Sequence, residues 1–171
     1  MSNDNLLSLS RIEADAFHPD PQAVDLEELI ADRLRRLAPI FTDVELRTRL
    51  PGDLPLVDAD YAHIERVVTN LLANAARHAP TGTDVWVIAK AEGDTVRIEV
   101  SDRGAGVPEG DEEQIFEPFQ RGAGGGSSGI GLAICKAIIE AHGGEIGVER
   151  TFGGGATFSF TLPVHRGVVS S

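Results

Sequence analysis

Asn70, Asn74 and Arg77 stand at i, i+4 and i+7 in an otherwise apolar stretch. On an α-helix that spacing puts them on one face. Two carboxamide oxygens and a guanidinium on one face can serve a metal ion and a phosphate. Mg²⁺ takes oxygen ligands and borrows others from substrate phosphates, and an arginine fork matches phosphate geometry. The same residues also read as an ordinary solvated helix face. Further on, Asp102-Arg103-Gly104-Ala105-Gly106-Val107-Pro108 leaves a strand-like run. A carboxylate at a strand end can accept a hydrogen bond from an exocyclic amine such as the adenine 6-amino group, and Gly104 and Gly106 let backbone approach a flat ligand. Alone, the segment is also a plain glycine turn. Phe116-Glu117-Pro118-Phe119 sets two aromatics in a long loop, as lid anchors, partner contacts or core residues.

Six glycines fall between Gly122 and Gly131, and the run leads straight into apolar residues from Ile130. Free N–H groups and the dipole at a helix start favour phosphate; the alternative is a flexible linker. No lysine follows the last glycine, so the run is not a Walker loop. No buried parallel strand precedes it, so it is not a dinucleotide fingerprint.

These residues need elements to position them. Leu6, Leu7, Leu9 and Ile12 mark Asn5 to Ala16 as the end of an amphipathic helix, stopped at His18-Pro19-Asp20-Pro21. Asp25 caps a helix from Leu26 to Ala38. Val44 to Leu46 starts a strand, and Leu54 to Val57 is a short extended piece. Asp58 or Asp60 then caps the helix that carries the polar triplet, running to about His78. Asp84 to Lys90 and Thr95 to Ser101 are strands joined by a hairpin turn at Glu92-Gly93-Asp94. A long loop runs from Asp102 to Gly129, and a loop of that length inside a domain is usually functional or disordered. A helix follows from Ile130 to His142, stopped by Gly143-Gly144. Glu145 to Arg150 and Ala156 to Leu162 are the last strands, and the tail frays from Val164. Interleaved helices and strands with two hairpins predict a mixed sheet with helices on one face, an α/β sandwich.

With 171 residues the chain fits one domain. Its net charge of −12, from 15 basic and 27 acidic residues, argues against nucleic acid or an anionic membrane as main partner. It leaves room for one nucleotide, whose phosphates need only a few donors. Cys135 is alone in an apolar run and reads as a buried core cysteine. No stretch reaches the ~20 apolar residues of a membrane span, and no leader peptide opens the chain. The expected location is cytoplasmic.

The order and spacing of these segments resemble the catalytic domain of sensor histidine kinases, within the gyrase–Hsp90–kinase–MutL ATPase superfamily. Asn70 to Arg77 matches the N box, Asp102 to Gly106 the G1 box, Phe116 to Phe119 the F box and Ser128 to Ala133 the G2 box. Gly153 to Phe158 resembles the last glycine box, and the likeness spans about Asp25 to Pro163. The resemblance implies a Bergerat fold with about three helices on one face of a mixed sheet and a flexible ATP lid. It implies ATP and Mg²⁺ as ligands, with Asn74 as main metal ligand, Asn70 supporting metal and phosphates, and Arg77 near the phosphates. His78, Val107, Phe119, Ser128, Ile130 and Leu132 join the ATP site. Asp102 reads the adenine amine, and Gly104, Gly106, Gly129 and Gly131 admit the backbone. Arg121 reaches the terminal phosphate, and Thr157 sits near the adenine. On this likeness residues 1–21 are the remnant of a second dimerisation helix and linker, 22–164 the catalytic domain and 165–171 a disordered tail.

In gyrase-like and Hsp90-like ATPases the place of Asn70 holds a glutamate that activates water. An amide there favours transfer of the γ-phosphate to another protein. The resemblance implies transfer to a histidine on a dimerisation domain, then to a response regulator, in a parent anchored in the cell membrane. His18, His63, His142 and His165 lack the family's acceptor context, so the acceptor is expected elsewhere and this piece is expected to be monomeric. Ser127 replaces a common lid glycine, and His78 a common tyrosine. An anti-sigma-factor-type serine kinase and a nucleotide-binding module without catalysis are the alternatives.

Overall fold

The structure is a computed structural model that describes residues 17–117, 131–151 and 153–166. The expected helix at Asn5 to Ala16 and the tail from residue 167 lie outside the described residues.

Three helices form where the apolar stripes predict them. α1 spans Leu26–Leu37 and is capped by Asp25, which accepts from the Glu28 N–H at 3.2 Å. Its acidic first turn and its Arg35 and Arg36 in the last turn complement the helix dipole. A short 3₁₀ turn, Ala38–Ile40, follows. α2 spans Tyr61–His78, and Asp60 rather than Asp58 is its cap. It stops before Pro80, as the restriction on a pre-proline residue requires. α3 spans Gly131–Ala141 and ends at Gly143, whose φ of 79° is a left-handed stop.

Five strands build the main sheet. β2 is Glu45–Arg49, β4 Asp84–Glu92, β5 Thr95–Ser101, β6 Ile146–Arg150 and β7 Ala156–Pro163, in the order β2-β4-β5-β7-β6. β2 runs parallel to β4, and the other pairs are antiparallel. Alternation sends Val85, Val87, Ala89, Val96, Ile98, Val100, Phe158 and Phe160 into the core with Ile64, Val67, Leu71 and Ile138 of the helices. Burying that two-layer core is the main driving force for the fold. The mixed α/β architecture is the one expected.

Two strands were not expected at their places. β1, Gln22–Val24, pairs antiparallel with β3, Val57–Ala59, in a separate two-stranded sheet. The extended piece therefore lies later than Leu54 to Val57. Three-residue strands carry too little periodicity to show in a sequence, and the pairing is tertiary.

Candidate nucleotide site

The C-terminal end of β5 meets the start of β7 beneath the C-terminal half of α2. Asp102 prolongs the inward parity of Val96, Ile98 and Val100, and only 3% of it is exposed. Its Oδ1 accepts from the Gly104 N–H at 2.7 Å and from the Ala156 N–H at 3.4 Å. Its backbone N–H donates to the Ala156 carbonyl at 2.9 Å. Oδ2 has no donor among the described residues. A buried carboxylate with one oxygen fixed and the other free is an acceptor waiting for a ligand N–H.

Glycines let three backbone segments close around it. A Cβ on Gly104 would come within 2.4 Å of the His78 carbonyl oxygen. Gly155, at φ 102°, would place a Cβ 1.9 Å from the Asp102 carbonyl oxygen. These approaches explain why the loop after β5 and the β6–β7 turn are glycine-rich. A cavity of about 490 Å³ opens beside them, lined by His78, Gly104 to Pro108, Arg150, Gly154 and Gly155.

Asn70, Asn74 and Arg77 share the polar side of α2 but do not line that cavity. Asn70 Nδ2 donates to the Gly131 carbonyl at 3.4 Å, tying α2 to the first residue of α3. Asn74 is 7% exposed, and its Oδ1 accepts from Arg77 Nη2 at 3.4 Å. Both bonds lie beyond the usual 2.7–3.2 Å range and are weak. The Asn70 amide also hydrogen-bonds the Cys135 sulfur through its nitrogen, its side-chain oxygen has no donor among the described residues, and Arg77 is exposed. The triplet thus offers two weakly committed amide oxygens and a cation.

Thr157 requires a correction. It lies on β7 between the buried Ala156 and Phe158, so its side chain points to the other face of the sheet. There its hydroxyl meets Ser101 at 2.7 Å and Thr151 at 2.9 Å. Ala156 holds the inward place beside Asp102. The alternation with Phe158 and Phe160 was the available signal. Gly155 was read only as part of the last glycine box and not as a site residue, and Arg150 was missed; Arg150 reaches the cavity through strand register, which no local pattern shows.

Phe116 is 5% exposed and packs edge-to-face on Phe158, with centroids 6.1 Å apart, so it is a core residue. Val107 and Leu132 are half-buried against the core. Phe119, Arg121, Ser128, Gly129 and Ile130 lie outside the described residues. Cys135 is fully buried, and burial pushes its thiol up to about 12. It is a structural cysteine, as expected. Among the described residues no helix is long and apolar enough to cross a membrane, and no three His, Cys, Asp or Glu side chains gather as a metal cluster.

This geometry matches a known family. The model of the histidine kinase-, DNA gyrase B- and HSP90-like ATPases matches residues 59–166, and the chain belongs to that family. The chain is 37% identical to the sensor protein KdpD of Escherichia coli (strain K12) over 163 residues, 94% of this chain and 18% of KdpD. It is 39% identical to the alginate biosynthesis sensor protein KinB of Pseudomonas aeruginosa, over 94% of this chain and 28% of KinB. The chain therefore spans less than a third of these relatives. Among solved structures, the mycobacterial sensor histidine kinase MprB matches with a TM-score of 0.76 and 29% identity, covering 85% of this chain and 98% of that one. Full-length ShkA in complex with AMPPNP matches with a TM-score of 0.77 and 32% identity, covering 95% and 36%. The chain is an ATP-binding catalytic domain of the sensor histidine kinase type.

Proposed function

We propose that this domain holds Mg·ATP between α2, α3 and the Asp102 loop and passes the γ-phosphate to a histidine on a dimerisation domain of its parent. Residues 22–164 form the catalytic unit in this reading, and a response regulator is the final acceptor. The observation that carries it is the divided carboxylate of Asp102, with Oδ1 held by the Gly104 N–H at 2.7 Å, with a weaker approach from the Ala156 N–H, and Oδ2 unclaimed. Oδ2 accepts a hydrogen bond from an adenine 6-amino group; a guanine would turn a carbonyl oxygen toward it and be rejected.

The donor set on α2 fits Mg²⁺ bound with phosphates, since amide oxygens are hard ligands and a few suffice beside water and phosphate oxygens. Asn74 is the main ligand and Asn70 its support, with Arg77 set for phosphate. Bound there, the ion would neutralise phosphate charge and orient the γ-phosphate. Asn70 presents an amide with no basic lone pair, so it does not deprotonate a water. Its tie to Gly131 sets the distance between the metal face and the start of α3. KdpD, KinB and MprB carry sensor or sensor-kinase names, which supports a histidine acceptor over a serine one. A parent anchored in the cell membrane belongs to the same reading.

Labelling with γ-labelled ATP tests the proposal. The isolated chain takes up no alkali-stable label. Joined to a helical dimerisation domain bearing an acceptor histidine, it yields an alkali-stable, acid-labile phosphoryl group that vanishes in Asn74→Ala. Acid-stable, alkali-labile label on a serine would overturn the histidine reading.

A further inference from the structure

Behind Asp102, on the sheet face turned away from the nucleotide, three hydroxyls form a chain. Thr151 Oγ1 donates to the Asp102 carbonyl oxygen at 3.3 Å. Thr151 Oγ1 and Thr157 Oγ1 are 2.9 Å apart, and Thr157 Oγ1 and Ser101 Oγ are 2.7 Å apart. The direction of the chain follows from its end. A carbonyl only accepts, so the single Thr151 proton goes to Asp102. Thr151 must then accept from Thr157, and Thr157 from Ser101. The Asp102 carbonyl has no other donor among the described residues, and Gly155 crosses close above it. The same Thr151 is pinned by its backbone: its N–H donates to the Gly155 carbonyl at 3.0 Å, and its carbonyl accepts from the Gly154 N–H at 2.8 Å.

We infer that Thr151 is a positioning residue for adenine recognition, acting through the backbone of Asp102 without touching the base. The inference rests on the ATP reading above. Its hydroxyl is the one donor to the Asp102 carbonyl among the described residues, and this long 3.3 Å bond, with the backbone bonds of Thr151 to Gly154 and Gly155, biases the tilt of the Asp102–Arg103 peptide. That peptide begins the turn whose Gly104 N–H holds Asp102 Oδ1, so its tilt sets where Oδ2 points. Removing the hydroxyl leaves a crowded carbonyl without a donor, and the peptide rotates to find water. The carboxylate then swings off its line to the 6-amino group, while the glycine cradle and the phosphate end stay as they were. Thr157 and Ser101 act one and two steps further back, with falling effect.

The test compares two ligands by calorimetry: the β,γ-imido analogue of ATP, and the same analogue built on purine riboside, which lacks the 6-amino group. The unmodified chain binds the ATP analogue more tightly. Thr151→Val keeps the volume and deletes the hydroxyl. It weakens the ATP analogue about tenfold and leaves the purine analogue unchanged, so the ratio collapses. Thr151→Ser restores the ratio, and Thr157→Val lowers it less than Thr151→Val. A Thr151→Val chain that keeps the ratio overturns the inference, whether both affinities stay or both fall with thermal stability, since a merely structural hydroxyl would do that. Failure of the unmodified chain to bind either analogue removes the ATP reading itself, a result distinct from an unchanged ratio.

Discussion

The two ends of α2 carry similar amounts of polar chemistry and use it differently. At the N-terminal end every group of Asp60 is committed. Its Oδ1 accepts from the His63 N–H at 3.3 Å, its Oδ2 from the Asp20 N–H at 3.0 Å, and its own N–H donates to His142 Nε2 at 3.0 Å. Burial works against its charge, but the Asp20 and His63 N–H groups outweigh that and hold the carboxyl below its ordinary range. His142 Nδ1 donates in turn to the Ile138 carbonyl at 2.8 Å, which fixes one neutral tautomer. Phe17, His63 and His142 stack edge to face, with centroids 5.5 and 5.9 Å apart. At the C-terminal end Asn74 has one long, weak bond, Asn70 ties its amide nitrogen to Gly131 and to the Cys135 sulfur, Arg77 is exposed, and nearby Asp102 keeps one oxygen free. His63 Nδ1 is the one buried nitrogen of this N-terminal joint without a hydrogen-bond partner. Asp60 and His142 are paired with backbone and with each other and build a joint, whereas Asp102 Oδ2 and the α2 amides leave acceptors open to a ligand.

Substitutions at the two ends should therefore separate stability from binding. The largest effect is expected where the site is built of backbone. Gly155→Ala forces a Cβ against the Asp102 carbonyl at φ 102°, and should destabilise the fold by more than about 3 kcal/mol in urea melts while abolishing nucleotide binding. Next comes Asp102→Ala, which should weaken both Mg·ATP and adenosine about 10- to 100-fold in titrations, the range for a hydrogen bond to a charged group. Asn74→Ala should weaken Mg·ATP about tenfold and leave adenosine untouched; equal losses for the two ligands would erase the division between metal end and base end. At the other end of α2, Asp60→Ala should cost about 1 kcal/mol of stability, the value of a helix cap, with unchanged nucleotide affinity.

The smallest effect is a pH dependence. Burial pushes His142 below the ordinary 6.5 of histidine, and the nearby His63 adds to this, while the bond of His142 to the Ile138 carbonyl and the Asp60 charge pull the other way without cancelling it. The unfolded chain then binds a proton at this site before the folded one does. The contribution is whole above pH 6.5 and is lost as the pH falls through the depressed folded value. Urea midpoints measured across this window should fall with pH in the unmodified chain and fall less in His142→Gln.

Much of this division was legible in the sequence. The apolar stripes of all three helices, the alternating strands and the cap at Asp25 are local signals, and local signals survive into the fold; the sequence narrowed the second cap to Asp58 or Asp60, and only the fold selects Asp60. The N, G1 and last glycine boxes were readable because their order and spacing are unusual together. The β1–β3 pair was not, because three-residue strands have no periodicity of their own. Thr157 was misplaced by one residue, and one residue on a strand is the opposite face. The long contact from Asn70 to Gly131 and the place of Arg150 depend on how elements pack, which spacing does not encode. Phe116 was left open between lid and core, and its burial against Phe158 decides it for the core.

The most direct measurement is calorimetric titration of the chain with a non-hydrolysable ATP analogue, with and without Mg²⁺, alongside Asp102→Ala. The Asp102 reading predicts saturable one-to-one binding that Mg²⁺ strengthens and Asp102→Ala weakens about 10- to 100-fold. Absence of binding, or binding indifferent to Asp102, would contradict it.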